Sequence, residues 1–246
     1  MTGLGIEVAE RDGVRHVLLD RPEKKNALTA AMYAHAADAL ASAERDGVGA
    51  LLLSARGDTF TAGNDLRDFL ERPPVDADAP VMRFLIALAT TDVPVVAAVR
   101  GAAVGVGTTL LLHCDLVYAA ASARFRVPFV DLGLVPEAGS SVLLPRLAGR
   151  SRAAAMFLLG ETLDAHEAAE IGLVTEIVDD AALDEHAAAT ARALAAKPRD
   201  AVRATKRLAN YDRDAIVAAI RRESEEFGKR LRSDEARAAM AAFFAK

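Results

Sequence analysis

The chain has 246 residues, 52% of them hydrophobic, and a formal net charge of −5. That length fits one large domain, or a domain with an appendage, built on a sizeable core. The acid excess argues against a general nucleic-acid role while leaving room for a local basic patch facing a phosphorylated ligand. A lone cysteine, Cys114, excludes an internal disulfide framework, and its apolar neighbours predict a buried, inert thiol.

In chain order, residues 1–13 (MTGLGIEVAERDG) lack the basic and apolar regions of a secretory signal. Residues 6–9 and 14–19 flank a Gly-containing turn and predict a β-hairpin. A polar loop at 21–26 follows, and Thr29 predicts the N-cap of a helix running to about residue 45. Residues 50–54 are continuously apolar, as in a strand buried on both faces. The segment PPVDADAP at 73–80 predicts a loop that lines or gates a ligand pocket. A helix over 81–90 leads to a strand at 93–99, a helix over 107–114 and a strand at 116–120. Strands alternating with helices predict an α/β fold with mainly parallel pairing. The apolar stretch 93–121 is broken by Arg100, glycines, His113 and Asp115, so it predicts no membrane span. A soluble cytoplasmic protein is expected. Residues 125–135 read as a strand-like run. Beyond about residue 143 helices dominate, at 151–159, 165–171, 181–196, 198–210, 212–231 and 233–244, with one strand-like stretch at 172–178. The expected division is a core over residues 1–190 and a helical region over 191–246.

Three segments carry the chemistry. Gly101, Gly105 and Gly107 precede an apolar helix. The dinucleotide pattern fails because Leu110 stands where a third glycine is needed, and the phosphate-binding Gly-Lys-Ser/Thr ending is absent. What remains is a close-approach turn at a helix start, with N–H groups free to bind an oxygen, or glycines that serve only close packing. The run 60–66 (FTAGNDL) forms a similar turn, with Asp65 as a helix cap. Glu137 lies between Pro136 and the small residues Ala138 and Gly139. Apolar neighbours would desolvate it and raise its pKa into the range useful for a base; alternatively it is a helix-start glutamate favoured by the dipole. Asp131 is a second acid, expected to face outward. The histidines, His16, His35, His113, His166 and His186, show no metal-ligand spacing, and Ser140-Ser141 lacks a nucleophile elbow.

The runs RPEKKNALT (21–29), FTAGNDL (60–66), VRGAAVGVGTTLLLHCDLVYA (99–119) and LGLVPEAGSS (132–141) together resemble the crotonase, or enoyl-CoA hydratase/isomerase, superfamily over nearly the whole chain. The resemblance implies a spiral of ββα units, a helical C-terminal region that builds homotrimers or dimers of trimers, and an acyl-CoA substrate with no further cofactor. It implies an oxyanion hole from the backbone N–H groups of Ala62 and Val106. The Val106 side chain, where family members usually have glycine, must then point away from the acyl group. Substrate contacts are implied at Lys25, Ala27, Leu28, Ala62, Gly63, Asn64, Asp65, Leu66, Val106, Phe129 and Leu134.

The two glutamates of enoyl-CoA hydratases match Thr109 and Phe129, so both carboxylates are missing and hydration at hydratase-like rates is not expected. Glu137 instead matches the single catalytic acid of Δ3,Δ2-enoyl-CoA isomerases of the peroxisomal type. The expected function is therefore a 3-enoyl-CoA to 2-enoyl-CoA isomerase. The alternatives are hydratase-type or dehalogenase-like chemistry, or a non-catalytic acyl-CoA-binding protein.

Overall fold

A computed structural model describes residues 3–71, 78–210 and 212–244. The main sheet contains strands β1 (Ile6–Arg11), β2 (Val14–Leu19), β3 (Ala50–Ala55), β4 (Val95–Val99), β6 (Leu116–Ala120) and β9 (Glu176–Val178), in the order β1-β2-β3-β4-β6-β9. The β1–β2 hairpin is antiparallel; every later pairing in this sheet is parallel. A smaller sheet pairs β5 (Ala102–Val104) with β7 (Arg124–Arg126) and β7 with β8 (Thr162–Asp164).

The helices are α1 (Ala30–Ala43), α2 (Leu66–Glu71), α3 (Pro80–Thr90), α4 (Val106–Thr109), α5 (Ser140–Ala148), α6 (Arg150–Leu159), α7 (Ala165–Glu170), α8 (Leu183–Ala195), α9 (Arg199–Ala209), α10 (Arg213–Leu231) and α11 (Asp234–Phe244). Among the described residues, no helix is long and apolar enough to cross a membrane.

The apolar runs of β3 and β4 follow from burial on both faces. Leu51, Leu53, Val95 and Ala97 point into the large core with α1 and α3, while Ala50, Leu52, Val96 and Ala98 meet Leu183, Ala187 and Ala191 of α8. At ~25 cal/mol per Å² of apolar surface, each of the leucines and valines contributes roughly 1.5–3 kcal/mol when fully buried, and each alanine less. Residue 190 lies inside α8, and Ile216, Ile220, Phe227 and Leu231 of α10 join the same large core as α1 and α3. Lys206 of α9 fixes this region to the sheet: its Nζ donates to Val93 O at 2.9 Å and to Asp115 Oδ2 at 2.7 Å.

Several local expectations change. Residues 125–135 form only a short strand, β7, followed by a 3-10 turn at Val130–Leu132. The helix expected over 107–114 is α4 continued by a 3-10 turn at Leu110–His113. Helix α5 and strands β5 and β8 are additional elements; Pro145 inside α5 and the brevity of the strands hid them. The pocket-lining loop expected at 73–80 falls mostly on residues 72–77, which lie outside the described residues; Pro80 opens α3.

Candidate active site

The glycine-containing turns end up side by side. Thr61 bridges Ala103 in parallel, and the Thr61 N–H donates to Ala102 O at 3.0 Å. Gly63 has φ +90, and a Cβ there would lie 2.7 Å from Val104 O, so only glycine permits this approach. Asn64 and Val106 then face one cleft of about 1100 Å³, which Ala62, Gly63, Leu66, Phe129 and Leu134 also line. The Val106 N–H opens α4 after Gly105 and, like the Asn64 N–H, has no hydrogen-bond partner among the described residues. The Val106 side chain is fully buried and belongs to the large core.

This geometry corrects one expectation. The Ala62 N–H donates to Lys25 O at 2.9 Å and is not free to bind a substrate oxygen; the unengaged donor on that turn is Asn64, two residues on. Thr61 and Tyr33 hold the turn from behind. The Thr61 hydroxyl donates to Asn26 O at 2.7 Å and accepts from Gly63 N at 3.1 Å, while the Tyr33 phenol donates to Asn64 Oδ1 at 2.5 Å.

Glu137 sits just before α5, with its side chain buried; only 7% of the residue is exposed. Burial pushes its carboxyl up to about 7. Thr109 opposes that shift by donating from Oγ1 to Glu137 Oε1 at 2.7 Å, and the negative charge of Glu223 adds to it. Glu137 lies in a small pocket with Val81, Met82, Leu85 and Ile220. Phe69 and Phe227, packed edge-to-face with centroids 5.9 Å apart, line both this pocket and the large cleft.

The other expected residues divide. Ala27, Asp65 and Leu66 line the cleft with the residues above, but Leu28 is a core residue, 5% exposed, and Lys25 is exposed and not part of the cleft lining. Arg21, Lys24 and Thr29 line the cleft in their place. The polar loop contains a left-handed Lys25-Asn26 pair. Asp65 caps α2 by accepting from Arg67 N and Asp68 N, and also pairs with Arg21 at 2.7 Å, which keeps its carboxyl low. Asp131 is half-exposed and paired with Arg126 at 2.8 Å, outside Glu137's pocket.

Sequence reasoning missed four residues here. Tyr33, Phe69 and Phe227 carry ordinary core-like helical spacing. Glu223 is one of many charged residues on α10, and nothing local marks it as buried.

Comparison with known proteins shows the family and the fold. Residues 9–246 match the family described as enoyl-CoA hydratase/isomerase. The chain is 42% identical to a 1,2-epoxyphenylacetyl-CoA isomerase of Escherichia coli over 76% of this chain and 74% of that protein. It is 33% identical to human enoyl-CoA delta isomerase 2 over 97% of this chain and 63% of that protein. Among solved structures it superposes on Pseudomonas aeruginosa OdaA with a TM-score of 0.95 at 44% identity, covering 99% of this chain and 100% of that one. The fold is the crotonase fold, and the chain belongs to the enoyl-CoA hydratase/isomerase family.

Proposed function

We propose that this acyl-CoA enzyme moves a double bond from the 3- to the 2-position of an enoyl-CoA, with Glu137 as its single proton carrier. The observation that carries this reading is one buried carboxylate, pushed up to about 7, with no second carboxylate among the described residues of its pocket. The residues that match the hydratase glutamates are Thr109, which hydrogen-bonds Glu137, and Phe129, buried against the cleft.

The ionised Glu137 takes a proton from C2. The C–H electron pair moves into the thioester, giving a dienolate whose oxygen accepts from the Asn64 and Val106 N–H groups. As the electrons return, the C2–C3 double bond forms and C4 takes the proton from Glu137, which is again a carboxylate. One proton changes place; no water or cofactor beyond the substrate's own CoA is consumed. Each free donor of such a pair is worth roughly 2.7–4 kcal/mol in the transition state. Phe69, Phe227 and Phe129 keep water from the dienolate, which favours isomerisation over hydration. Lys24 at the cleft supplies a positive charge for the CoA phosphates.

A second reading rests on the 42% identity to the epoxyphenylacetyl-CoA isomerase and on the aromatic partition of Phe69 and Phe227 beside Glu137. The same donor pair would then hold a thioester carrying a ring. Turnover of 3-enoyl-CoA, 2-enoyl-CoA and ring-epoxide CoA thioesters, with wild type and Glu137→Gln side by side, decides between them. Glu137-dependent conversion of the 3-enoyl substrate alone supports the first reading. Glu137-dependent conversion of the ring epoxide alone supports the second. Hydration that survives the substitution would sink both.

A further inference from the structure

A buried carboxylate, Glu223, and a half-buried imidazole, His113, hold the segment that carries Glu137, and neither lines the cleft or Glu137's own pocket. Ala138 is left-handed at φ 62 although it is not glycine, and Gly139 follows at φ 72. A left-handed alanine costs roughly 1–2 kcal/mol and persists only where its surroundings impose it. From one side the His113 ring N–H donates to Ala138 O at 2.7 Å. From the other side, Glu223 of α10 reaches the same turn. Its Oε2 accepts from Gly139 N at 2.5 Å; its Oε1 accepts from Ser141 N at 2.9 Å and from the Ser141 hydroxyl. Gly139 caps α5 without a side chain, so the remote carboxylate satisfies N–H groups at the start of α5.

A local serine or asparagine would cap a helix without burying a charge. Here the cap is a carboxylate, 8% exposed, placed close enough to Glu137 to raise that group further. Two buried like charges are costly, and stability alone does not explain the arrangement.

We propose that Glu223 is a positioning residue for Glu137: its three bonds to Gly139 and Ser141 fix the turn that aims the proton-carrying carboxylate. This rests on the reading of Glu137 as the proton carrier. Burial pushes Glu223 itself up, against its bonds to Ser141 and Gly139 and the positive charge of Arg222, and the Tyr33 phenol nearby is pushed up by burial and by Glu137. His113 is pushed down to about 4 by burial, with Lys206 adding to that effect, so it is neutral at working pH.

The test is Glu223→Gln, nearly isosteric and uncharged, measured beside Glu137→Gln on a 3-enoyl-CoA. The expected result for Glu223→Gln is a kcat loss of roughly 10- to 100-fold, as for a small misplacement of a reacting group. KM should stay within about twofold, and the acid limb of the kcat/KM profile should move to lower pH because the neighbouring negative charge is gone. Ser141→Ala, which removes one bond and keeps the charge, should lower kcat while leaving the limb in place. A folded Glu223→Gln with wild-type kcat and limb, beside an inactive Glu137→Gln, would overturn this proposal alone. Full activity of Glu137→Gln would overturn the proton-carrier reading and this proposal with it. Should Glu223→Gln not fold, Ser141→Ala decides: a kcat loss at constant KM supports the role, and unchanged kcat overturns it.

Discussion

Thr109 Oγ1 donates to Glu137 Oε1 at 2.7 Å, and both residues are buried, at 0% and 7% exposure. The position that matches a hydratase glutamate thus supports the remaining acid. A hydrogen bond to a buried carboxylate favours its charged form. Thr109→Val should therefore raise the Glu137 pKa, moving the acid limb of kcat/KM to higher pH. The loss of a hydrogen bond to a charged group, roughly 1.5–3 kcal/mol, predicts about a 10- to 100-fold drop in kcat/KM below the limb. A full pH–rate profile checks both points.

Glu137→Gln should cost at least 10²–10⁴-fold in kcat, the typical range for removing a general base. In the wild type, kcat/KM should rise with pH through about 7 and then level off, since the ionised carboxylate abstracts the proton. The stability effect runs the other way. A folded-state pKa raised above the ordinary 4.5 means that the native state holds its proton longer than the unfolded chain does. Stability therefore falls as pH rises from about 4.5 to about 7. Glu137→Gln escapes that loss and should be more stable than wild type at pH 8–9 by on the order of 2–3 kcal/mol, but not at pH 4. Chemical denaturation at both pH values measures the difference.

Gly63→Ala should damage the donor pair. Its φ of +90 and the 2.7 Å approach of a Cβ to Val104 O force the two turns apart. The expected cost is roughly 1–3 kcal/mol of stability, with kcat reduced more than KM is raised. Steady-state kinetics with a denaturation curve separate the two effects.

Phe69→Ala should open the partition between the cleft and Glu137's pocket. The cost in stability is about 3–5 kcal/mol for a buried phenylalanine, or less if its neighbours collapse into the space. Turnover of short 3-enoyl thioesters should fall and bulkier acyl groups should gain relative to them. An unchanged preference across a chain-length series would show that the aromatic pair does not set selectivity.

Asp131→Asn should leave kcat within about twofold, because Asp131, paired with Arg126 and 49% exposed along its side chain, lines the large cleft but not Glu137's pocket. Such surface pairs contribute about 0–1 kcal/mol. A large loss of activity would reassign the proton carrier.

Much of the fold was legible because its signals are local. The Asp12-Gly13 turn, the Thr29 cap and the fully buried β3 lie where residue type and spacing place them. Glu137 stood out as an acid isolated among apolar and small residues, but local signals favoured a helix-start glutamate, and only the family resemblance pointed to a catalytic acid. The donor on the first turn was not legible. Ala62 and Asn64 are two residues apart in a turn of small residues, and only the bond from Ala62 N–H to Lys25 O shows which N–H is engaged. Glu223 was invisible because its partners, Gly139 and Ser141, are more than eighty residues away. In the sequence it is one more charge on an amphipathic helix.

Asn26 is fully buried, and its amide group donates to Arg56 O and Thr59 O and accepts from Arg21 N. Its own carbonyl accepts from Thr61 Oγ1, beside the donor turn. The loop at the mouth of the cleft and the loop that presents Asn64 therefore share one origin, like two jaws cut from a single block. A graft that replaces either loop alone moves both ends of the substrate site, so exchanges of binding preference between relatives at this end of the cleft must transfer the two loops together with the amide that joins them.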